Sequence, residues 1–79
     1  MKKVLITGIL GQDGANMAEY LLTLDDVYVY GMMRRSGSPN YHNIKNFKND
    51  SRFELVDGDL GDEISINNVF SRIMPDYFI

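Results

Sequence analysis

The chain has 79 residues, of which 44% are hydrophobic and 24% charged, so it is one small globular domain at most and not a disordered segment. It has no cysteine, one histidine (His42) and a net charge of −3. That excludes a disulfide framework, a zinc ribbon and a thiol nucleophile, and argues against a histidine-held metal and against nucleic acid as a partner. No apolar run approaches the roughly 18 residues of a membrane span, and the Met1-Lys2-Lys3 start lacks the long apolar core of a signal peptide, so a cytoplasmic chain with no membrane partner is expected.

Val4-Leu5-Ile6-Thr7 is a continuous β-branched and aliphatic run ended by Gly8, the pattern of a strand covered on both faces. Gly8, Gly11 and Gly14 punctuate the next stretch of chain. From Asp13 a helix is predicted, because Gly14, Ala18, Leu21 and Leu22 recur at i, i+4, i+7 and i+8. Asp13 is its expected N-cap, and Asp25-Asp26 close it. Val27 to Met33 reads as a second strand. The polar stretch from Arg34 to Asp50 reads as a loop with a short helical turn near Ile44 to Phe47. Phe53 to Val56 is a third strand, ended by Asp57-Gly58-Asp59. Asp62 is placed to cap a second helix with the apolar stripe Ile66, Val69, Phe70 and Ile73, and Pro75 stops it. Tyr77-Phe78-Ile79 begins a fourth strand.

The order β-α-β-loop-β-α-β(start) predicts an α/β fold: a Rossmann-type parallel sheet with flanking helices, incomplete at its fourth strand. In a doubly wound sheet of order 3-2-1-4, strand one lies beside strand four. The chain therefore reads as cut short at that strand, with an open apolar edge on its first strand. Below roughly 70–80 residues a core without disulfide or metal is only marginally stabilising. Self-association or low stability of the chain alone is the expectation.

Gly8-x-x-Gly11-x-x-Gly14 lies between a strand and a helix, and that context carries more weight than the spacing. The first glycine suits a tight turn out of the strand, the second lets backbone approach a pyrophosphate, and the third lets helix and strand pack closely. The helix N-terminus adds free N–H groups and partial positive charge. The alternative is a glycine-rich connection and nothing more. Asp13 puts a carboxylate nearby, which a capping role would turn away from the ligand.

An NAD site commonly carries an acidic residue about 20 residues beyond the glycine loop. Counting from Gly14 reaches Arg34, in Met33-Arg34-Arg35-Ser36, where there is no acid. Two guanidiniums suit the 2′-phosphate of NADP, with Ser36 adding a hydroxyl; the alternative is a solvated arginine pair. Gly58-Asp59-Leu60 comes after the third strand, where Asp59 is placed to accept from an adenine amino group while Leu60 packs on the ring. Equally, Asp59 bonds its own turn backbone. Asp57, Asp59 and Asp62 lack the spacing of a cation-binding loop, and no metal site is expected. His42 is expected to be solvated. Met17, Met32, Met33 and Met74 are expected in the core.

Leu5-Ile6-Thr7-Gly8-x-x-Gly11-Gln12-Asp13-Gly14, Ala18-Glu19-x-Leu21-Leu22, Gly31-x-x-Arg34-Arg35-Ser36, Asn40, Gly58-Asp59-Leu60 and Pro75 together resemble the extended short-chain dehydrogenase/reductase family, and within it the GDP-mannose 4,6-dehydratases. The Gly-Gln-Asp-Gly run with Arg-Arg-Ser beyond it is the more particular part of the match. The resemblance implies bound NADP and GDP-mannose as substrate. The sugar is oxidised at C4, water is lost across C5–C6, and the hydride returns to C6. It implies that Gly8, Gly11, Gln12, Asp13 and Gly14 line the pyrophosphate, that Arg34 and Arg35 take the 2′-phosphate, and that Asp59 and Leu60 meet the adenine.

It also implies a homo-oligomer, because the family's loop after the arginines reaches toward a neighbouring subunit. Here Pro39, Tyr41 and Asn43 stand where the family carries an aromatic residue, a threonine and an arginine. These departures bear on assembly more than on cofactor binding. The family's catalytic Tyr-x-x-x-Lys pair belongs to a later helix. Tyr41 and Lys45 have that spacing by chance, on the adenosine side of the expected site, and no residue of this chain is assigned a catalytic role. The other functional classes compatible with the residues are a non-catalytic nucleotide-binding or interaction module and a related sugar-nucleotide epimerase or reductase. Against the latter, Gln12-Asp13 replaces the aromatic that usually comes after the second glycine.

Overall fold

The apolar runs pair side by side, because each buries both its faces only when neighbours lie on either side and helices cover it above and below. A computed structural model describes residues 1–34 and 39–79. Its elements are β1 (Lys2–Ile6), α1 (Gln12–Leu21), β2 (Val27–Met33), a 3₁₀ turn at His42–Ile44, β3 (Phe53–Asp57), α2 (Glu63–Ile73) and β4 (Tyr77–Phe78). All the strand pairs are parallel, in the order β3-β2-β1-β4. This is the predicted Rossmann-type arrangement. The register sets Val4 beside Val29 and Val29 beside Phe53.

Two cores flank the sheet. On one side Val4, Ile6, Val27 and Val29 meet Ala15, Ala18 and Leu22 of the α1 region and Ile44 and Phe47 of the loop after β2. Phe47 and Phe53 pack edge to face at 5.0 Å. On the other side Leu5, Met32 and Val56 meet Val69 and Ile73 of α2. The strand alternation explains the split: Val4 and Ile6 point one way and Leu5 the other. Burying Ile44 and Phe47 is what gives the polar loop its short helical turn.

Several element ends differ from expectation. The α1 N-cap is Gly11, and no side chain caps it. Asp13 is thus inside the first turn, where its charge favours the positive end of the helix dipole. Asp25 and Asp26 do not close α1, whose C-cap is Leu22. The α1 carbonyl end is met instead from across the chain: the Arg52 guanidinium donates to the carbonyls of Leu22, Leu24 and Val27. Asp62 caps α2 as predicted, and Met74 ends it in the left-handed region (φ 53°) just before Pro75. Of the methionines assigned to the core, Met32 is buried, Met33 is half-buried, and Met17 and Met74 are exposed. Met17 is on the solvent side of α1, and Met74 lies beyond the last residue of α2.

The open edge is also displaced. β4 pairs with β1 at Val4 and Leu5, and the Thr7 N–H donates to the Ile79 carbonyl at 2.9 Å. Phe78 packs on Phe70 of α2, ring centroids 5.0 Å apart. The edge of β1 is therefore occupied, and the exposed apolar residues at the sheet edge are Tyr77, Phe78 and Ile79.

Candidate functional site

Parallel strands present their carboxyl ends to one side, and loops leaving them form a crevice there. Thr7 follows β1, Arg34 follows β2 and Gly58 follows β3, and together they border a cavity of about 380 Å³ lined by residues 7–11, 32–34 and 58–60.

The glycines shape its floor. Gly8 has φ +60°, the left-handed conformation that lets the chain turn sharply out of β1. Ile9 then folds inward and is fully buried, and its N–H donates to the Met32 carbonyl at 3.4 Å. Gly31 of β2 makes room for it: a Cβ there would lie 2.5 Å from Ile9 Cγ1. Gly11 closes the turn, donating to the Gly8 carbonyl at 3.0 Å. At Gly14 a Cβ would lie 2.5 Å from the Gly8 carbonyl oxygen, so the third glycine is what lets α1 begin against the loop.

The two helix starts differ in a way that selects the anion site. At α2 the Asp62 carboxylate takes the N–H groups of Ile64 (3.0 Å) and Ser65 (3.4 Å). At α1 no side-chain cap is present, and among the described residues Ala15 is the first helix N–H with a backbone acceptor, the Gly11 carbonyl at 3.0 Å. The N–H groups of Gln12, Asp13 and Gly14 remain for a ligand. A larger groove of about 600 Å³ runs between the end of β3 and α2. It has no glycine cradle, and its helix start is already capped.

Arg34 stands at the cavity mouth, its side chain 81% exposed, with Nε 3.7 Å from Asp59 Oδ2. So open a pair contributes little to stability, but it biases the guanidinium toward the crevice. Arg35 and Ser36 lie outside the described residues. Asp59 makes the turn bond considered for it, Oδ1 accepting from the Gly61 N–H at 2.9 Å, while its own N–H donates to Ser65 Oγ at 3.1 Å. The second carboxylate oxygen faces Arg34. Leu60 is exposed beside the cavity.

The remaining candidates are not drawn together. Tyr41 is half-buried against the α1-side core with Lys48 Nζ 4.0 Å above its ring, and Lys45 is exposed. His42 is exposed, its N–H donating to Asn40 Oδ1 at 2.9 Å. Among the described residues no three acidic or histidine side chains converge, so Asp57, Asp59 and Asp62 form no cluster. No helix of the described residues is long and apolar enough to cross a membrane. Sequence reasoning missed the seat that Gly31 provides for Ile9, although a glycine inside an apolar strand signals a close approach. It also missed the contact of Asn43 with the glycine loop, for which no local pattern exists.

Residues 5–79 match the family described as GDP-mannose 4,6 dehydratase. The chain belongs to the GDP-mannose 4,6-dehydratase family. The GDP-mannose 4,6-dehydratase of Yersinia enterocolitica is 42% identical over 96% of this chain and 22% of its own length. That of Vibrio cholerae is 36% identical over 95% of this chain and 21% of its own. The chain thus spans about a fifth of these curated relatives. Among solved structures, a dTDP-glucose 4,6-dehydratase from Bacillus anthracis in complex with NAD superposes with a TM-score of 0.84 at 19% identity. The superposition covers 99% of this chain and 26% of that one, and it shows a shared fold.

Proposed function

We propose that this chain is the NADP-binding part of a GDP-mannose 4,6-dehydratase, an enzyme that converts GDP-mannose to GDP-4-keto-6-deoxy-mannose. The observation that carries the reading is the uncapped start of α1 set against a cradle in which Gly14 leaves no room for a side chain. Amides there meet a diphosphate at a site already free of protein acceptors, and the helix dipole adds favourable charge. Gly8, Gly11, Gln12, Asp13 and Gly14 hold that diphosphate. Arg34, with Arg35 and Ser36, takes the 2′-phosphate. Asp59 and Leu60 border the adenine. When bound, the nicotinamide supplies a reversible hydride acceptor for the oxidation at C4 and the return to C6 that accompany loss of water. No catalytic residue and no metal are assigned within this chain. The proposal includes a homo-oligomer in the cytoplasm, with no nucleic-acid or membrane partner.

The test is a fluorescence titration of the purified chain with NADPH and with NADH. Wild type is expected to prefer NADPH, and Arg34→Asp combined with Arg35→Ala to lose NADPH far more than NADH. Equal losses would overturn the choice of NADP, and binding of neither nucleotide would overturn the dinucleotide site.

A further inference from the structure

We infer that Asn43 is a positioning residue for the phosphate-binding loop, acting through the Leu10–Gly11 peptide; this rests on the dinucleotide site proposed above. The side-chain Nδ2 of Asn43 donates to the Leu10 carbonyl at 3.0 Å, across 33 residues of sequence. The same peptide unit is held from its other side, where the Gly11 N–H donates to the Gly8 carbonyl at 3.0 Å. Both polar groups of one rigid plane are therefore tied down. That plane leads directly into Gly11, the N-cap of α1, so its tilt sets where the Gln12 and Asp13 amides point. It also matters for charge. A carbonyl swung toward a diphosphate would repel it, and the Asn43 amide engages the Leu10 oxygen so that it is not free to do so.

The prop is itself rigid. Ile44, next in the chain, is fully buried in the α1-side core, and Leu10 and Tyr41 pack against the same cluster. The 3₁₀ turn closes with the Ile44 N–H on the Tyr41 carbonyl (3.2 Å) and the Lys45 N–H on the His42 carbonyl (3.4 Å). The Asn43 backbone is thus fixed while its side chain remains exposed, so replacing that side chain removes a bond to the loop without opening the core.

The experiment combines amide hydrogen exchange on the free chain with titrations by NADPH, ADP and 2′-AMP. In Asn43→Ala, exchange of the Gly11 amide is expected to speed up, and the melting temperature to fall by about 4–8 °C, the shift that loss of one net hydrogen bond gives a domain of this size. NADPH and ADP should bind about five-fold more weakly, because binding must then re-order a loop that wild type holds in place before the ligand arrives. Binding of 2′-AMP, which carries no diphosphate, should not change. Asn43→Asp keeps the shape but offers no donor, and is expected to fall at least as far. Unchanged exchange and unchanged NADPH affinity in both variants would overturn the inference, as would equal weakening of NADPH and 2′-AMP. Wild type failing to bind NADPH while Asn43→Ala still exchanges faster defeats the cofactor reading and supports the tie to the loop.

Discussion

Gly14→Ala separates close packing from helix propensity, because the two give opposite signs. Within a helix, alanine is ordinarily favoured over glycine by about 1 kcal/mol. At Gly14 the added Cβ would meet the Gly8 carbonyl oxygen at 2.5 Å, the Gly8 carbonyl carbon at 3.0 Å and Ile9 Cα at 3.2 Å. All three are backbone atoms, which cannot rotate away. To reach the 3.4 Å at which ordinary contact begins, α1 and the loop must separate by about 0.9 Å. Forced overpacking typically costs about 1–3 kcal/mol. With unyielding backbone on both sides the upper part of that range applies, about 2–3 kcal/mol, and the propensity gain leaves a net loss of about 1–2 kcal/mol. For a chain of this size that lowers the melting temperature by about 5–15 °C. The same displacement moves the amides that face the proposed diphosphate, so NADPH affinity should fall about ten-fold or more. Circular-dichroism melting and NADPH fluorescence titration read the two effects. Gly11→Ala is the control for the melting temperature alone: its Cβ would lie 3.3 Å from the Gly8 oxygen, which a shift of a few tenths of an ångström relieves. A Gly14→Ala chain that melts higher than wild type and binds NADPH normally would refute the reasoning.

Arg52→Ala removes the donor that serves the carbonyls of Leu22 at the end of α1, Leu24 in the connection and Val27 at the start of β2. A loss of about 2–3 kcal/mol is expected from urea denaturation, and Arg52→Lys should recover only part of it, because one ammonium cannot fork across three carbonyls. An unchanged urea midpoint in Arg52→Ala would show that water serves those carbonyls as well. Tyr28 is pushed above its ordinary pKa of 10.0, first by burial and then by the neighbouring Glu54 carboxylate and Tyr30. The unfolded chain therefore loses this proton before the folded one does. Stability from this group is full below about pH 10 and is lost as the pH rises through the raised value. Urea unfolding between about pH 9 and 11 should show that fall in wild type and a smaller one in Tyr28→Phe; identical profiles would count against it.

Periodicity and punctuation alone determined the elements, because the signals are local. The run Val4–Ile6, the stripe from Ile66 to Ile73 and the capping Asp62 each act within a few residues, and the parallel sense of the sheet comes from alternating strand and helix. The glycine spacing likewise marked the loop. The tertiary structure decided which polar groups find partners, since those partners come from distant sequence. Asp13 looked like a cap, yet α1 starts at Gly11 and leaves its amides open, because Gly14 must sit against the Gly8 carbonyl. Asp25 and Asp26 looked like the end of α1, yet Arg52 from before β3 serves its carbonyls. Asn43 reaches Leu10 only because burial of Ile44 carries the loop back onto α1. Hydrophobic pattern specifies which face is buried, but a hydrogen bond depends on ångström distances that only the packed core sets.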